Sequence, residues 1–161
     1  MEMVEVYSFS ITAVSKEEKY MQLIPQLLSL VKSEEDFIAN LANISAALKE
    51  SFSWLWVGFY LVKNDTLVLG PFQGTVACTR IKIGKGVCGT CWAKQKSIIV
   101  SDVNTFEGHI ACSTLSKSEI VIPIINNNGK FLGVLDVDSE NLNNFDVCDE
   151  KYLTEIVKLI V

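Results

Sequence analysis

Three cysteines stand at glycine-rich turns: Cys78 shortly after Gly70-Pro-Phe-Gln-Gly74, Cys88 inside Gly86-Val-Cys-Gly-Thr90, and Cys112 closing Gly108-His-Ile-Ala-Cys112. A cysteine elsewhere is a small buried hydrophobe, but at a turn its sulfur can meet a ligand or another thiol. Two such thiols suit redox chemistry. One thiolate attacks an oxidised substrate, and the second attacks the resulting sulfenic acid to give a disulfide. A second arrangement competes. Cys88-Gly-Thr-Cys91 and His109-Ile-Ala-Cys112 are two ligand pairs with the spacing of a zinc site. Against zinc, the residues after Cys91 read as helix rather than a knuckle turn, and Cys78 is left without a role.

Acids and aromatics accompany the thiols. Asp136 and Asp138 end an apolar strand, where alternation puts both on one face of a sheet. Glu119 opens the preceding strand, beside Ser116 and Ser118. Such a cluster binds an ammonium group, and mutual repulsion that raises one pKa leaves an acid able to donate a proton. A solvated strand end is the plainer reading. Trp56 and Tyr60 alternate onto one strand face with Gly58 between them, as pocket wall or as core. Trp54 and Trp92 read as core. His109, the single histidine, can tune a nearby cysteine, serve as a ligand or satisfy local loop hydrogen bonds, the last being the favoured reading.

Composition narrows the function classes. The 161 residues are almost half apolar, enough chain for one domain with a real core. The formal charge of −5 has no lysine or arginine block, which argues against a nucleic-acid partner. No apolar run reaches the roughly 18 residues of a membrane span, and Met1-Glu-Met-Val-Glu-Val6 lacks the features of a signal peptide. The expected setting is therefore cytoplasmic, where stable structural disulfides are uncommon.

The elements that must position these groups follow from periodicity. Ser15-Lys-Glu-Glu18 is a capping box for a first helix carrying Tyr20, Leu23, Leu27 and Val31, with Pro25 expected to kink it or shift its start. Ser33 and the acids after it are expected to open a second helix through Phe37, Leu41, Ile44 and Leu48. Residues 1–14, with weak alternation at Val4, Val6 and Phe9, form an edge strand or an N-terminal arm. Strands are expected at Trp56–Val62, Leu67–Leu69, Thr79–Ile83, Ser97–Val100, Glu119–Ile125 and Phe131–Val137. A short helix is expected at Val87–Lys94 and a last helix behind Asp146. This is an α+β domain with a largely antiparallel sheet. The long connections between residues 84 and 118 are where a site belongs.

Taken in order, Trp56-Val-Gly-Phe-Tyr60, Gly70-Pro-Phe-Gln-Gly74, Ala77-Cys78, Gly86-Val-Cys-Gly-Thr90, Gly108-His-Ile-Ala-Cys112, Ser118-Glu-Ile-Val121 and Gly133-Val-Leu-Asp-Val-Asp138 closely resemble the free methionine-(R)-sulfoxide reductases, a branch of the GAF domain family. The resemblance runs from about Tyr20 to the C-terminus. It implies an arm over residues 1–14 and one GAF domain over 15–161. That domain has a central antiparallel sheet of about six strands with helices packed against it, commonly as a homodimer. It also implies reduction of free L-methionine (R)-S-oxide, a role in oxidative stress, thioredoxin as reductant and no metal or other cofactor. Carried over residue by residue, Cys112 is the nucleophile, Cys78 the resolving thiol and Cys88 an accessory thiol. Glu119, Asp136 and Asp138 bind substrate, and Trp56 and Tyr60 line the pocket. Two positions depart from the family pattern: Cys91 replaces an expected small residue, and Ser113 stands where aspartate is common. A binding module that senses a small molecule on the same fold is the alternative class. Cys148 reads as structural.

Overall fold

Helices begin where a side-chain oxygen can satisfy free backbone N–H groups. In the computed structural model, which describes residues 9–161, helix α1 (Lys16–Lys32) is capped by Ser15, whose hydroxyl accepts from the Glu18 amide at 3.3 Å. The helix runs through Pro25 with its start unshifted. One missing N–H is outweighed by the buried stripe of Tyr20, Leu23, Leu27 and Leu30. Helix α2 (Phe37–Phe52) starts three residues later than expected. Its cap is Asp36, which accepts from the Ala39 amide at 2.8 Å. Ser33 is engaged in closing α1, its hydroxyl donating to the Leu30 carbonyl at 2.8 Å. Helices α3 (Gly86–Lys94) and α4 (Val147–Lys158) follow the expected ranges closely, and Asp146 and Asp149 form a reciprocal capping box on α4.

Val4 and Val6 of the expected arm lie outside the described residues. Residues 9–14 carry neither helix nor strand. They run beside α1, where the Gln22 side chain accepts from the Thr12 and Ala13 amides and the Gln26 side chain from that of Ser10.

Six antiparallel strands are present among the described residues: β1 (Trp56–Lys63), β2 (Thr66–Gln73), β3 (Arg80–Ile81), β4 (Ile98–Val100), β5 (Ser118–Ile125) and β6 (Phe131–Ser139). Their order is β3-β2-β1-β6-β5-β4. Two expectations need correction. Strand β2 continues past Leu69 to Gln73, because Gly70-Pro-Phe-Gln73 stays paired to β1 across a register shift between Gly58 and Tyr60. Strand β3 covers two residues rather than Thr79–Ile83, because a turn closed by the Lys85 amide on the Lys82 carbonyl takes the chain away. The β1–β2 link has Asn64 and Asp65 both at positive φ, the geometry of a type I′ hairpin. Pro123 sits in β5 beyond the reach of β4, whose pairing covers Glu119 to Val121, so its absent N–H breaks no ladder.

The strand period sends alternate residues to two different cores. Val57, Phe59, Leu61, Ile120, Leu135 and Val137 face α1, α2 and α4 and are buried in the larger core. Trp56, Tyr60, Val121 and Val134 face the other way, with Cys88 and Cys91 of α3 packed over them. Both faces are covered, so β1 reads as an unbroken apolar run. Its second face is the one that carries polar chemistry.

Candidate active site

Register brings the acids and aromatics together. Trp56, Asp138 and Glu119 stand in one row across β1, β6 and β5, and Gly58, Asp136 and Val121 in the next. All five polar or aromatic positions singled out on these strands therefore share one face. Gly58 is required by close approach. A Cβ there would lie 2.4 Å from both the Phe72 Cβ and the Trp56 ring, so only glycine lets that indole lie flat across the strand. Gly89 does the same for α3: a Cβ would stand 2.3 Å from the Lys82 carbonyl oxygen, holding the helix off the sheet.

The polar ends of the two aromatics reach the segment that follows β2. The Trp56 Nε1–H donates to the Thr75 carbonyl at 3.0 Å, and the Tyr60 hydroxyl donates to the Cys78 carbonyl at 2.9 Å. They thus tether the segment between β2 and β3 that carries Cys78, besides walling the pocket. Cys78 is joined to Cys112 by a disulfide, with Cα atoms 5.5 Å apart and 34 residues between them in sequence. This bond lies over a cleft of about 40 Å³ lined by Trp56, Tyr60, Cys88, Glu119, Asp136 and Asp138, among others. The residues expected in the site line this cleft except Cys78, which is joined to its wall through the bond to Cys112.

Cys88 lies in the first turn of α3, where a helix N-terminus lowers a thiol pKa. The opposite outcome holds here. Burial pushes the Cys88 thiol well up, and the charges of Asp136 and Glu119 push it further. Cys88 is protonated at rest and is not itself in the disulfide. Cys91 is fully buried on the same helix, its Sγ turned to the Val121 carbonyl at 4.0 Å, and burial raises it to about 12. The four residues of the zinc arrangement do not converge. Among the described residues, the set of three metal-type ligands that comes within 4.8 Å is Cys88, Glu119 and Asp136.

The carboxylates are strongly desolvated. Burial, followed by the charges of Asp136 and Asp138, raises Glu119 well above the usual range. Burial and the Asp138 charge raise Asp136, against hydrogen bonds from Cys88 and Glu119 that pull the other way. Asp138 is held to about 6, because the Ser116 hydroxyl donates to it and offsets part of the burial. At neutral pH the cluster therefore holds both ionised and protonated oxygens. Like charges this close cannot all ionise. Among the described residues, Asp136 Oδ1 is buried and has no hydrogen-bond partner.

His109 does more than satisfy its loop. Its backbone amide does bond locally, to the Phe106 carbonyl at 3.1 Å. Its ring, however, lines the cleft with Nε2 3.7 Å from Glu119 Oε2. That spacing nominally makes an ion pair, but burial lowers the His109 pKa while that of Glu119 rises, so the two meet as neutral groups. Only the loop's return over the sheet reveals this contact; no spacing in the sequence carries it. Ser116 was adjacent to the expected acids, while Ser118 turns away, its hydroxyl donating to the Asn141 carbonyl at 2.6 Å. Cys148 is half-buried at the start of α4 and packs against the larger core. Trp54 is buried in that core, and Trp92 stacks on Phe131 with ring centroids 5.8 Å apart.

Comparison with known proteins adds independent findings. The GAF domain family profile matches residues 32–161. The chain is 60% identical over 147 residues to GAF domain-containing protein A of Dictyostelium discoideum, covering 91% of this chain and 92% of that one. It is 46% identical over 145 residues to the free methionine-R-sulfoxide reductase of Escherichia coli, covering 89% and 87% respectively. Its fold superposes with a TM-score of 0.94 on the free methionine-R-sulfoxide reductase of Neisseria meningitidis, solved with its substrate, at 50% identity over 96% of this chain and 93% of that one.

Proposed function

Since the chain belongs to the GAF domain family, and within it to the free methionine-R-sulfoxide reductases, we propose that it reduces free L-methionine (R)-S-oxide to L-methionine through Cys112, Cys78 and the carboxylates beneath them. The observation that carries this reading is the Cys78–Cys112 disulfide over a buried acid cluster. A binding module gains nothing from such a bond. A reductase must form it once per turnover.

The reaction runs from the reduced pair. The Cys112 thiolate attacks the sulfoxide sulfur while a protonated carboxyl gives its proton to the oxygen. Glu119 is the donor we assign, because burial and both neighbouring carboxylates raise it with no opposing contact, whereas hydrogen bonds pull Asp136 the other way. The S–O bond passes to Cys112, methionine leaves, and Cys112 is left as a sulfenic acid. The Cys78 thiol attacks that sulfur, an S–S bond forms, and the oxygen departs as water. Thioredoxin, itself oxidised to a disulfide, returns both thiols. Asp136 and Asp138 take the substrate ammonium, for among the described residues no lysine or arginine lines the cleft to compete for them. A peptide-linked methionine sulfoxide lacks that ammonium, which supports selectivity for the free amino acid. Trp56 and Tyr60 pack against the thioether portion.

Incubation with racemic free methionine sulfoxide and thioredoxin tests the reading. Consumption of the R epimer alone is expected; equal loss of both epimers, or of neither, would refute it. Cys78→Ser should release one methionine per chain at near-normal rate and then stall with thioredoxin, as quantified by rapid quench. Tyr60→Phe keeps the aromatic wall and removes the tether on Cys78, a hydrogen bond of about 1 kcal/mol. Methionine release should be little changed, while disulfide closure slows by about fivefold, read by thiol trapping.

Cys88, protonated and buried, supports the acids in this scheme, and any slow recycling left in Cys78→Ser would run through its thiol. The family resemblance supports a homodimer and a cytoplasmic setting that keeps the thiols reduced. Among the described residues, no helix is long and apolar enough to cross a membrane. We take residues 15–161 as the working domain, since Ser15 caps its first helix.

A further inference from the structure

We propose that Cys88, Glu119 and Asp136 form a binding site for a soft divalent cation of the zinc or cadmium class, and that its occupation excludes the substrate. The exclusion rests on the reductase reading; the binding does not. The three ligand atoms lie within 4.8 Å of one another, and all three residues are buried. Ligands around a tetrahedral zinc with bonds of 2.0–2.3 Å stand about 3.3–3.8 Å apart, so side-chain adjustments of about 1 Å close the set. Asp136 Oδ1 is buried without a partner and supplies an open coordination point where an ordinary core would have satisfied it. Among the described residues no lysine or arginine lines the cleft to neutralise the cluster.

The donor set selects the metal. One thiolate with two carboxylates favours zinc or cadmium, while magnesium and calcium prefer an all-oxygen shell. Three protein ligands leave the fourth position open to water from the cleft. On binding, the Cys88 thiol and any protonated carboxyl of the pair release their protons to solvent. Thiolate and carboxylates together carry three negative charges against two on the metal, a far better match than an ammonium offers. This site shares only Cys88 with the Cys88, Cys91, His109 and Cys112 arrangement that the sequence suggested. It also survives oxidation, because the Cys78–Cys112 bond leaves Cys88 free.

That last property gives a clean test. In the full chain with its disulfide intact and no added thiol, Cys78 and Cys112 cannot bind metal. Titration with Cd²⁺ should then give one ion per chain, with the ultraviolet charge-transfer absorbance of a single thiolate. Cys88→Ser should abolish the band, and Asp136→Asn should weaken binding by about 100-fold or more, while Cys148→Ser leaves both unchanged. Free methionine (R)-sulfoxide should move the titration to higher cadmium. Absence of the band, its persistence in Cys88→Ser, or unaltered affinity in Asp136→Asn would overturn the site. A titration indifferent to the sulfoxide would overturn the exclusion. A chain that binds cadmium as described but leaves the sulfoxide unreduced keeps the site and loses the reductase reading.

Discussion

Cys112→Ser is expected to lower turnover of free methionine (R)-sulfoxide by at least about a thousandfold while the fold is retained. Serine is nearly the same size, but its hydroxyl is almost wholly un-ionised at neutral pH and is a far poorer nucleophile toward sulfur. Losing a covalent nucleophile removes the reaction path rather than one contact on it, so losses are of this order or larger. The same substitution prevents the bond to Cys78 that ties the two loops together. Steady-state turnover with dithiothreitol isolates the first effect, because dithiothreitol does not depend on thioredoxin docking. Activity within tenfold of the unmodified chain would show that another thiol attacks the sulfoxide, and Cys88 would then be the one to replace.

Glu119→Gln is expected to move activity and stability in opposite directions. A general acid contributes about 10²–10⁴-fold, so kcat/KM should fall by about 100-fold or more. Stability should rise, because the acid cluster opposes folding. Burial and neighbouring charge raise the folded-state pKa values of Glu119 and Asp136 above those of the unfolded chain, near about 4. Between those values the folded state holds more protons than the unfolded state, so stability falls as pH rises from about 4 through the folded-state pKa values. An uncharged amide of the same shape removes part of that slope. The gain at neutral pH should be about 1–2 kcal/mol, within the range seen when a strained active-site group is replaced. For a chain of this size that is a rise in Tm of about 2–4 °C per kcal/mol. Thermal unfolding of both proteins from acid to neutral pH should give curves that converge in acid and separate as pH rises. Parallel curves would mean the carboxylates are not held against their own repulsion.

Elements with strong local signals were legible in the sequence. Ser15 and Asp146 announced two helix starts. Boundaries shifted where two elements competed for one side chain. Ser33 can cap α2 only if α1 does not need it, and α1 does. Sequence placed β3 by its alternation, but alternation says nothing of where the next turn will pull the chain away. At Pro25 tertiary burial outweighs one lost hydrogen bond, so the helix continues through it.

At the site, residue types and order determined the chemistry available: thiols at turns, carboxylates on one strand face, and aromatics beside a glycine. Those features are local in the chain, and the family pattern is made of them. Tertiary structure decided which groups meet. It paired Cys78 with Cys112 and left Cys88 to the acids, and it put Glu119 and Asp138 in one row through the register of β5 and β6. It also brought the His109 ring back over that row and turned Tyr60 toward the Cys78 carbonyl. Each of these contacts joins residues on different elements. The pKa shifts arise from the same packing, since a carboxylate is desolvated only by neighbours that the whole fold supplies.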